Sequence, residues 1–332
     1  MRAALIHEVG EPDVIKIEDF PKPTPGPRDV LVKTAAVSVN PVDTYIRRGK
    51  SIPPQSFPYI IGCDVAGTVE AVGKDVKRFK VGDRVWGTNQ SIAGKQGTFA
   101  EYVCTDEQWL YPTPKTMSDE LAAAGSLVGI TAQLGLFQHG RLQPGEVVFV
   151  NGGSGGVGQC VIQFAKAHGA KVITTAGSQE KLDFCKSLGA DVVINYKDAD
   201  LDAKIEKAAS ELGGLHIWWE TQREPTFDRT IKLLSKRGRI ILMAGRDARP
   251  EFPVGPFYVK ELQLLGVIIF NNTPDEQRVC AERMNAWFEQ GKWKPLIGKV
   301  MPLEQAAEAH RLQEDNTLNK AGSLSGKIVL TV

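Results

Sequence analysis

The sequence predicts an α/β chain in two parts: a β-rich, barrel-like part and a doubly wound parallel sheet. Three observations predict it. One is a glycine-rich turn, Gly153-Ser154-Gly155-Gly156-Val157-Gly158, set between an apolar run and a helical pattern. Another is the alternation of strand and helix patterns from about residue 125 to 270. The last is a series of short strands at close spacing before residue 124.

Glu146–Val150 is a short apolar run after the turn signal Pro144-Gly145, and it reads as a buried strand. Beyond the glycines, Val157, Val161, Phe164 and Ala165 keep helical spacing, Gly169 stops the helix, and Lys171–Thr175 reads as the next strand. In such a βαβ unit glycines permit a tight turn, close approach of backbone to a pyrophosphate, and close helix–strand packing. The helix N-terminus then presents amides to the anion. NAD-binding versions carry an acid near the end of the second strand, roughly 20 residues past the glycines. Here that strand ends Thr174-Thr175-Ala176-Gly177-Ser178, without a carboxylate. Ser178 and Lys181 follow, a hydroxyl and a cation suited to a 2′-phosphate. The expected cofactor is NADP(H).

A chain of 332 residues holds two domains of ordinary size. Its 42% hydrophobic and 24% charged content is that of a soluble globular protein, and a net charge of +1 gives no global field for nucleic acid or anionic membrane. Neither is an expected partner. Five cysteines without a C-x-x-C suggest reduced thiols in a cytoplasmic protein. The N-terminal apolar run is too short for a signal peptide, and no apolar stretch is read as reaching the 18 or so residues of a membrane span.

In order along the chain, Met1–Glu8 reads as a strand and Pro21–Pro27 as a stiff loop. Val30–Val39, Ala66–Val72, a strand fed by the turn Val81–Val85, and one begun at Gly97–Val103 follow. From Glu120 the pattern turns helical. Strands are expected at Val147–Val150, Val172–Thr175, Val192–Ile194, His216–Trp219, Arg239–Met243 and Leu264–Ile269. Helices are expected at Gly156–His168, Gln179–Leu188, Leu201–Leu212 and Phe227–Ser235. Helices at Glu276–Gln290 and around Leu303–Gln313 precede a last strand, Gly326–Val332. That strand needs a sheet, and the N-terminal one is the expected partner. The division is therefore 1–124 with 271–332, and 125–270. Leu264–Phe270 is long, apolar and last in its sheet, an exposed edge unless another chain pairs with it.

Ser38-Val-Asn40-Pro41-Val-Asp43-Thr-Tyr45-Ile-Arg47, Gly62-Cys-Asp64-Val-Ala-Gly67, Gly82-Asp-Arg-Val, Ala100-Glu-Tyr102 and the glycine turn together resemble the quinone oxidoreductase branch of the medium-chain dehydrogenase/reductase superfamily, close to zeta-crystallin. The resemblance covers essentially the whole chain. It implies a GroES-like catalytic domain joined to a Rossmann domain, with the active site between them. It also implies NADPH-dependent reduction of a quinone or conjugated enone by a homodimer or homotetramer. Zinc members carry a cysteine where this chain has Val39-Asn40-Pro41, a histidine–glutamate pair where it has Cys63-Asp64, and another cysteine near Gly125-Ser126. One thiol and one carboxylate do not make three protein ligands, so no metal is expected. Without a Lewis acid, alcohol oxidation is disfavoured. Hydride addition to a quinone or activated C=C needs only hydrogen-bond donors for the oxyanion.

The resemblance carries over site roles. Asn40, Tyr45 and Thr131 are candidate donors beside the reacting groups, with Asp43 to orient them. Ser154, Gly155, Gly156 and Val157 should hold the pyrophosphate. Gly177, Ser178, Lys181 and Tyr196 should surround the 2′-phosphate. Met243, Ala244, Gly245 and Arg246, with Val267, Ile268 and Ile269, should line the nicotinamide path. Lys320, with Asn319, should close over the adenosine. The chain departs from the family at Trp218-Trp219-Glu220, where an acid is present but no glycine follows. The tryptophans are read as core, or as narrowing the cofactor groove. Alternatives in function are a 2-enoyl thioester reductase, and a non-catalytic NADPH-binding protein of structural or RNA-binding type.

Overall fold

The computed structural model describes residues 1–50, 54–90, 94–319, 321–322 and 324–332. The first strands are β1 (Arg2–Ile6), β2 (Lys16–Asp19), β3 (Asp29–Val39), β4 (Tyr59–Ile60), β5 (Val65–Val72), β6 (Arg84–Gly87), β7 (Tyr102–Asp106) and β8 (Leu110–Pro112). Helix α1 (Pro41–Arg47) follows β3, and α2 (Asp119–Gln133) follows β8 and runs on as a π-helical segment, Leu134–His139. Strand β3 is the spine of this part, since it pairs with both β5 and β7. Its pairing with β5 slips twice, between Leu31 and Val32 and between Thr34 and Ala36. Irregularities of this kind bend a strand and curl its sheet.

The parallel sheet is built from β9 (Val147–Asn151), β10 (Lys171–Ala176), β11 (Val192–Asn195), β12 (Ile217–Glu220), β13 (Arg239–Leu242) and β14 (Gln263–Gly266). Helices α3 (Gly156–Ala167), α4 (Gln179–Ser187), α5 (Leu201–Leu212), α6 (Phe227–Leu233) and α7 (Val254–Val259) lie between them in sequence. The strand order among the described residues is β11-β10-β9-β12-β13-β14, so the winding reverses between β9 and β12. That reversal is the switch point at which open α/β sheets bind ligands. A sheet covered on both faces wants continuous apolar strands. Val147, Val148, Phe149 and Val150 are at most 1% exposed. Phe149 stacks on Trp218 across the β9–β12 pair, with centroids 4.1 Å apart.

The chain then forms α8 (Pro274–Glu289), β15 (Ile297–Pro302), α9 (Ala306–Thr317) and β16 (Lys327–Thr331). The last strand joins the N-terminal sheet as expected: β16 runs antiparallel to β3, with Ile328 opposite Val39 and Thr331 opposite Ala36. Two compact units result: Met1–Leu127 with Phe270–Glu289 and Lys294–Val332, and Val128–Ile269 with Gln290–Trp293.

Two expectations need correction, and one pair of alternatives is decided. The sixth strand of the parallel sheet stops at Gly266 rather than Ile269, because its partner β13 ends at Leu242, opposite Gly266. Ile269–Asn271 is a 3-10 turn instead. The segment Asp119–His139 is long and apolar enough to cross a membrane by length and composition, contrary to the reading above. It is mostly buried inside the protein, which accounts for its apolar character. Both tryptophans are core: Trp218 is 2% and Trp219 0% exposed. A side chain on Gly135 would collide with the Trp219 ring, so that glycine is where the helical segment admits the indole.

Candidate functional site

The glycine turn joins β9 to α3 at the switch point. Its three motif glycines differ in what surrounds them. A Cβ on Gly153 would collide with Thr174 Oγ1, and one on Gly158 with the Gly152 carbonyl. These two are required by packing between helix and strand. A Cβ on Gly155 would find only the Gly152 oxygen, at 3.6 Å, so this position opens outward. Gly155 is exposed and precedes a helix of 12 residues. Amides at the start of that helix have no intrahelical acceptor and carry the positive end of its dipole. An outward-facing cradle of this kind fits a dinucleotide pyrophosphate, with Ser154, Gly155, Gly156 and Val157 around it.

At the end of β10, Ser178 caps α4 by accepting from the Lys181 amide at 3.4 Å. Tyr196 follows β11, is 51% exposed, and its ring covers Gly177, where any side chain would meet the phenol. Burial lowers the Lys181 ammonium from its usual value, with Glu180 opposing. Gly177 and Ser178 thus follow the end of β10, Lys181 stands in the first turn of α4, and Tyr196 follows the end of the adjacent parallel strand β11. Ala176, where an acid would stand, is 2% exposed.

Beneath the glycine turn lies a buried acid. Glu220 ends β12 directly opposite Asn151, which ends β9. Its Oε1 accepts from Asn151 Nδ2 at 2.9 Å and from the Gln222 amide at 2.7 Å. Its Oε2 accepts from Asn151 Nδ2 at 3.1 Å and Trp218 Nε1 at 3.0 Å. Burial raises the carboxyl from its ordinary value, and these donors pull it back. Asn151 Oδ1 in turn accepts from Thr175 Oγ1 at 3.2 Å, and Thr175 Oγ1 accepts from the Gly152 amide at 3.2 Å. The sequence reading noted the acid but not its partners; an asparagine just before the glycines was the available signal.

In the other unit, Asn40 is the N-cap of α1 and Asp43 completes a capping box, its Oδ2 accepting from the Asn40 amide at 2.7 Å. Asn40 is fully buried, and its side chain is committed. Nδ2 donates to Asp64 Oδ2 at 2.7 Å, while Oδ1 accepts from the ammonium of Lys327. Lys327 also donates to the Val39 carbonyl at 2.7 Å, and it is 3% exposed. Asp64 accepts further from Ser38 Oγ at 2.7 Å and from the Leu127 amide at 3.1 Å. Burial pushes Asp43 up to about 7; the Asp64 charge adds to the rise, and Cys63, the Asn40 amide and Lys327 oppose it. Asp64 is raised by burial too, against Lys327, Asn40 and Ser38. Lys327 was missed by sequence reading.

The remaining candidates are placed singly. Tyr45 is half-buried on α1, two residues beyond Asp43. Thr131 is 5% exposed on the part of α2 that belongs to the second unit. Met243, Ala244 and Gly245 are half-buried after β13, and Arg246 is exposed. Val267 and Ile269 are buried, while Ile268 is 49% exposed. Asn319 donates to Asp315 Oδ1 at 2.9 Å, and Lys320 lies outside the described residues.

The positions weighed above as zinc ligands carry other chemistry here. Asn40 and Asp64 are tied to each other and to a lysine ammonium, Cys63 is buried beside Asp43, and Ser126 Oγ donates to the Ala122 carbonyl at 2.8 Å. Among the described residues no group of three or more His, Cys, Asp or Glu is placed to hold a metal ion. This donor set does not fit a catalytic zinc.

A doubly wound parallel sheet with a glycine cradle at its switch point, joined to a curled β unit, defines a two-part dehydrogenase-like architecture. Comparison with known proteins agrees. Residues 26–115 match the alcohol dehydrogenase GroES-like domain, and residues 156–286 match the zinc-binding dehydrogenase domain. The quinone oxidoreductase of Rattus norvegicus is 37% identical over 99% of this chain and 97% of its own length. Among solved structures, an NAD-dependent alcohol dehydrogenase superposes with a TM-score of 0.89 at 33% identity, each chain covered in full. A mycobacterial protein complexed with NADPH superposes at 0.86 and 30%, again with both chains fully covered. The chain belongs to the quinone oxidoreductase family of the medium-chain dehydrogenase/reductase superfamily, and it is an oxidoreductase.

Proposed function

We propose that the protein is an NADPH-dependent, zinc-independent quinone oxidoreductase that delivers hydride to a quinone or a conjugated enone. The observation that carries the cofactor choice is the end of β10. Ala176 stands where an acid would hold a ribose hydroxyl, and Ser178, Lys181 and Tyr196 surround the adjoining space. A 2′-phosphate there gains a cation and hydroxyl donors. The mycobacterial NADPH complex supports the same choice.

When bound, NADPH supplies the hydride. The chain's own residues do the rest. The backbone of Ser154–Val157 takes the pyrophosphate, and Ser178, Lys181 and Tyr196 take the 2′-phosphate. Met243–Arg246 and Val267–Ile269 support the nicotinamide by backbone. Tyr45 and Thr131 donate hydrogen bonds to the reacting groups. Asn40 and Asp43 act through their buried network rather than on substrate, because their polar atoms are turned inward. Zinc independence rests on the donor set at Asn40, Cys63, Asp64 and Ser126. The same donor set speaks against alcohol oxidation, the activity named for the NAD-dependent structural relative, which needs an alkoxide stabilised by a Lewis acid. The exposed edge of β14, with Leu264 40% exposed, supports at least a homodimer through that strand. Five free cysteines support a cytosolic setting.

The test is cofactor oxidation against a panel of quinones, 2-enals and enoyl thioesters, with NADPH and NADH in parallel. Turnover of quinones with NADPH preferred is the expected result. Faster turnover of an enoyl thioester would transfer the assignment to that substrate class. No turnover, with NADPH bound, would leave a binding protein.

A further inference from the structure

We propose that Glu220 is a positioning residue of the nucleotide site: its carboxylate bridges the ends of β9 and β12 and, through Asn151, fixes the turn that presents the Ser154–Val157 backbone. The proposal rests on the reading of that turn as a dinucleotide cradle. Its basis is the nature of the partners. Asn151 Nδ2, Gln222 N and Trp218 Nε1 are all donors, and they occupy both carboxylate oxygens at 2.7–3.1 Å. Such a site is made for a group that only accepts, an ionised acid. Glu220 is 2% exposed, so water does not substitute for these contacts.

The chain of bonds leads from Glu220 to the cofactor turn without a gap. Asn151 is gripped at Nδ2 by Glu220 and at Oδ1 by Thr175 Oγ1. Thr175 receives the Gly152 amide on its hydroxyl at 3.2 Å and the Gly153 amide on its carbonyl at 3.1 Å. Thr221, next to Glu220, donates its hydroxyl to the Asn151 carbonyl. Three strand ends are thereby locked at the point where the winding reverses. The carboxylate sets the outermost of these locks, because it grips the Asn151 side chain from across the switch, beside the Thr221 hydroxyl that holds the Asn151 carbonyl.

The test uses the full chain as Glu220→Gln and Trp218→Phe. The glutamine turns an N–H toward partners that are themselves donors, so at least one is left unpaired. NADPH dissociation constants, measured by fluorescence on the purified protein, should rise about tenfold in Glu220→Gln. Turnover at saturating NADPH and the quinone KM should stay within about twofold, since no reacting group is touched. Hydrogen exchange of the ligand-free protein should quicken at residues 152–158 and remain as in the wild type in α6 and α8. Trp218→Phe removes a single donor and should show the same pattern at smaller amplitude, and it decides the matter if Glu220→Gln does not fold. An unchanged NADPH dissociation constant in a folded variant overturns the proposal, as does exchange that quickens uniformly through the unit. A wild type that binds neither NADPH nor NADH overturns the reading of the cradle instead, and is told apart by that control.

Discussion

Each unit buries acid, and the two do so differently. In the first, Asp43 and Asp64 share an interior with the Lys327 ammonium. In the second, the donors to Glu220 among the described residues are neutral, from Asn151, Gln222 and Trp218 with the Thr221 backbone beside them. The first arrangement balances charge within the interior of its unit. The second satisfies one charge by hydrogen bonds and lies beside the glycine turn proposed to cradle phosphate. The contrast separates two uses of a buried carboxylate: holding a fold together and, on our proposal, aiming backbone at a ligand. Changes to the first should register as stability and pH dependence, and changes around the second as cofactor affinity.

The largest effect is expected at Lys327. Lys327→Met leaves two fully buried carboxyls without their cation and should cost about 3–5 kcal/mol of stability. Adding Asp64→Asn should restore part of that loss, because it removes one of the stranded charges. Urea unfolding at neutral pH reads both. A loss below about 1 kcal/mol for Lys327→Met would mean that the acids are held by neutral donors here too, and the contrast would collapse.

Asp43 gives the next largest effect, and it is a pH effect. Its folded value, about 7, lies above the ordinary 3.8, so the folded protein holds the proton more tightly. Stability contributed by this group is therefore full below about pH 4 and is lost as pH rises toward 7. A shift of this size corresponds to at most roughly 4 kcal/mol. Asp43→Asn keeps an acceptor for the Asn40 amide and cannot ionise. The wild type should lose stability relative to this variant between pH 4.5 and 8, measured as paired unfolding midpoints. Parallel curves would show that Asp43 does not titrate in this window.

Tyr45 stands on α1 two residues from Asp43 and tests whether that helix carries chemistry as well as structure. Tyr45→Phe should lower turnover roughly 100-fold if the hydroxyl serves the transition state. Its NADPH dissociation constant and melting point should stay near wild type. Unchanged turnover would leave Tyr45 as packing.

How far these differences could be read from the chain depends on how local their cause is. The glycine turn, the missing acid at Ala176 and the strand–helix alternation are local patterns, and each was legible. Strand β15 was not: Ile297–Pro302 contains a glycine and a proline, is mostly exposed, and is a strand because β16 lies parallel to it. Helix α7 spans Val254–Val259, too short to show a period. Lys327 is the clearest case. A lysine opening a strand reads as surface, and only the pairing of β16 with β3 brings it to Asn40, 287 positions away in sequence. The Glu220–Asn151 bridge is likewise made by strand order, since β9 and β12 are neighbours in the sheet and distant in sequence.

The smallest effect is expected at Lys181, and it sharpens the comparison from the second unit's side. Removing its ammonium should weaken NADPH binding by about tenfold, roughly 1.4 kcal/mol, because the charge is half open to solvent and screened. NADH carries no 2′-phosphate, so its affinity should be nearly unchanged. The variant's melting point is the readout that separates it from Lys327→Met. Ala176→Asp approaches the same preference from the opposite direction, by placing a carboxylate where NADPH carries its 2′-phosphate. The structure adds a cost to that variant. Ala176 is 2% exposed, so a carboxylate there must displace its surroundings to reach the ribose, and lost stability will accompany any change of preference. The cleaner measurement is therefore the ratio of NADPH to NADH dissociation constants in Lys181→Ala, read beside its melting point. A ratio that moves about tenfold at constant melting point places the cation on the 2′-phosphate. Equal weakening of both cofactors would place it on the shared part of the dinucleotide. A wild type that binds both cofactors equally would remove the basis for an NADPH preference altogether.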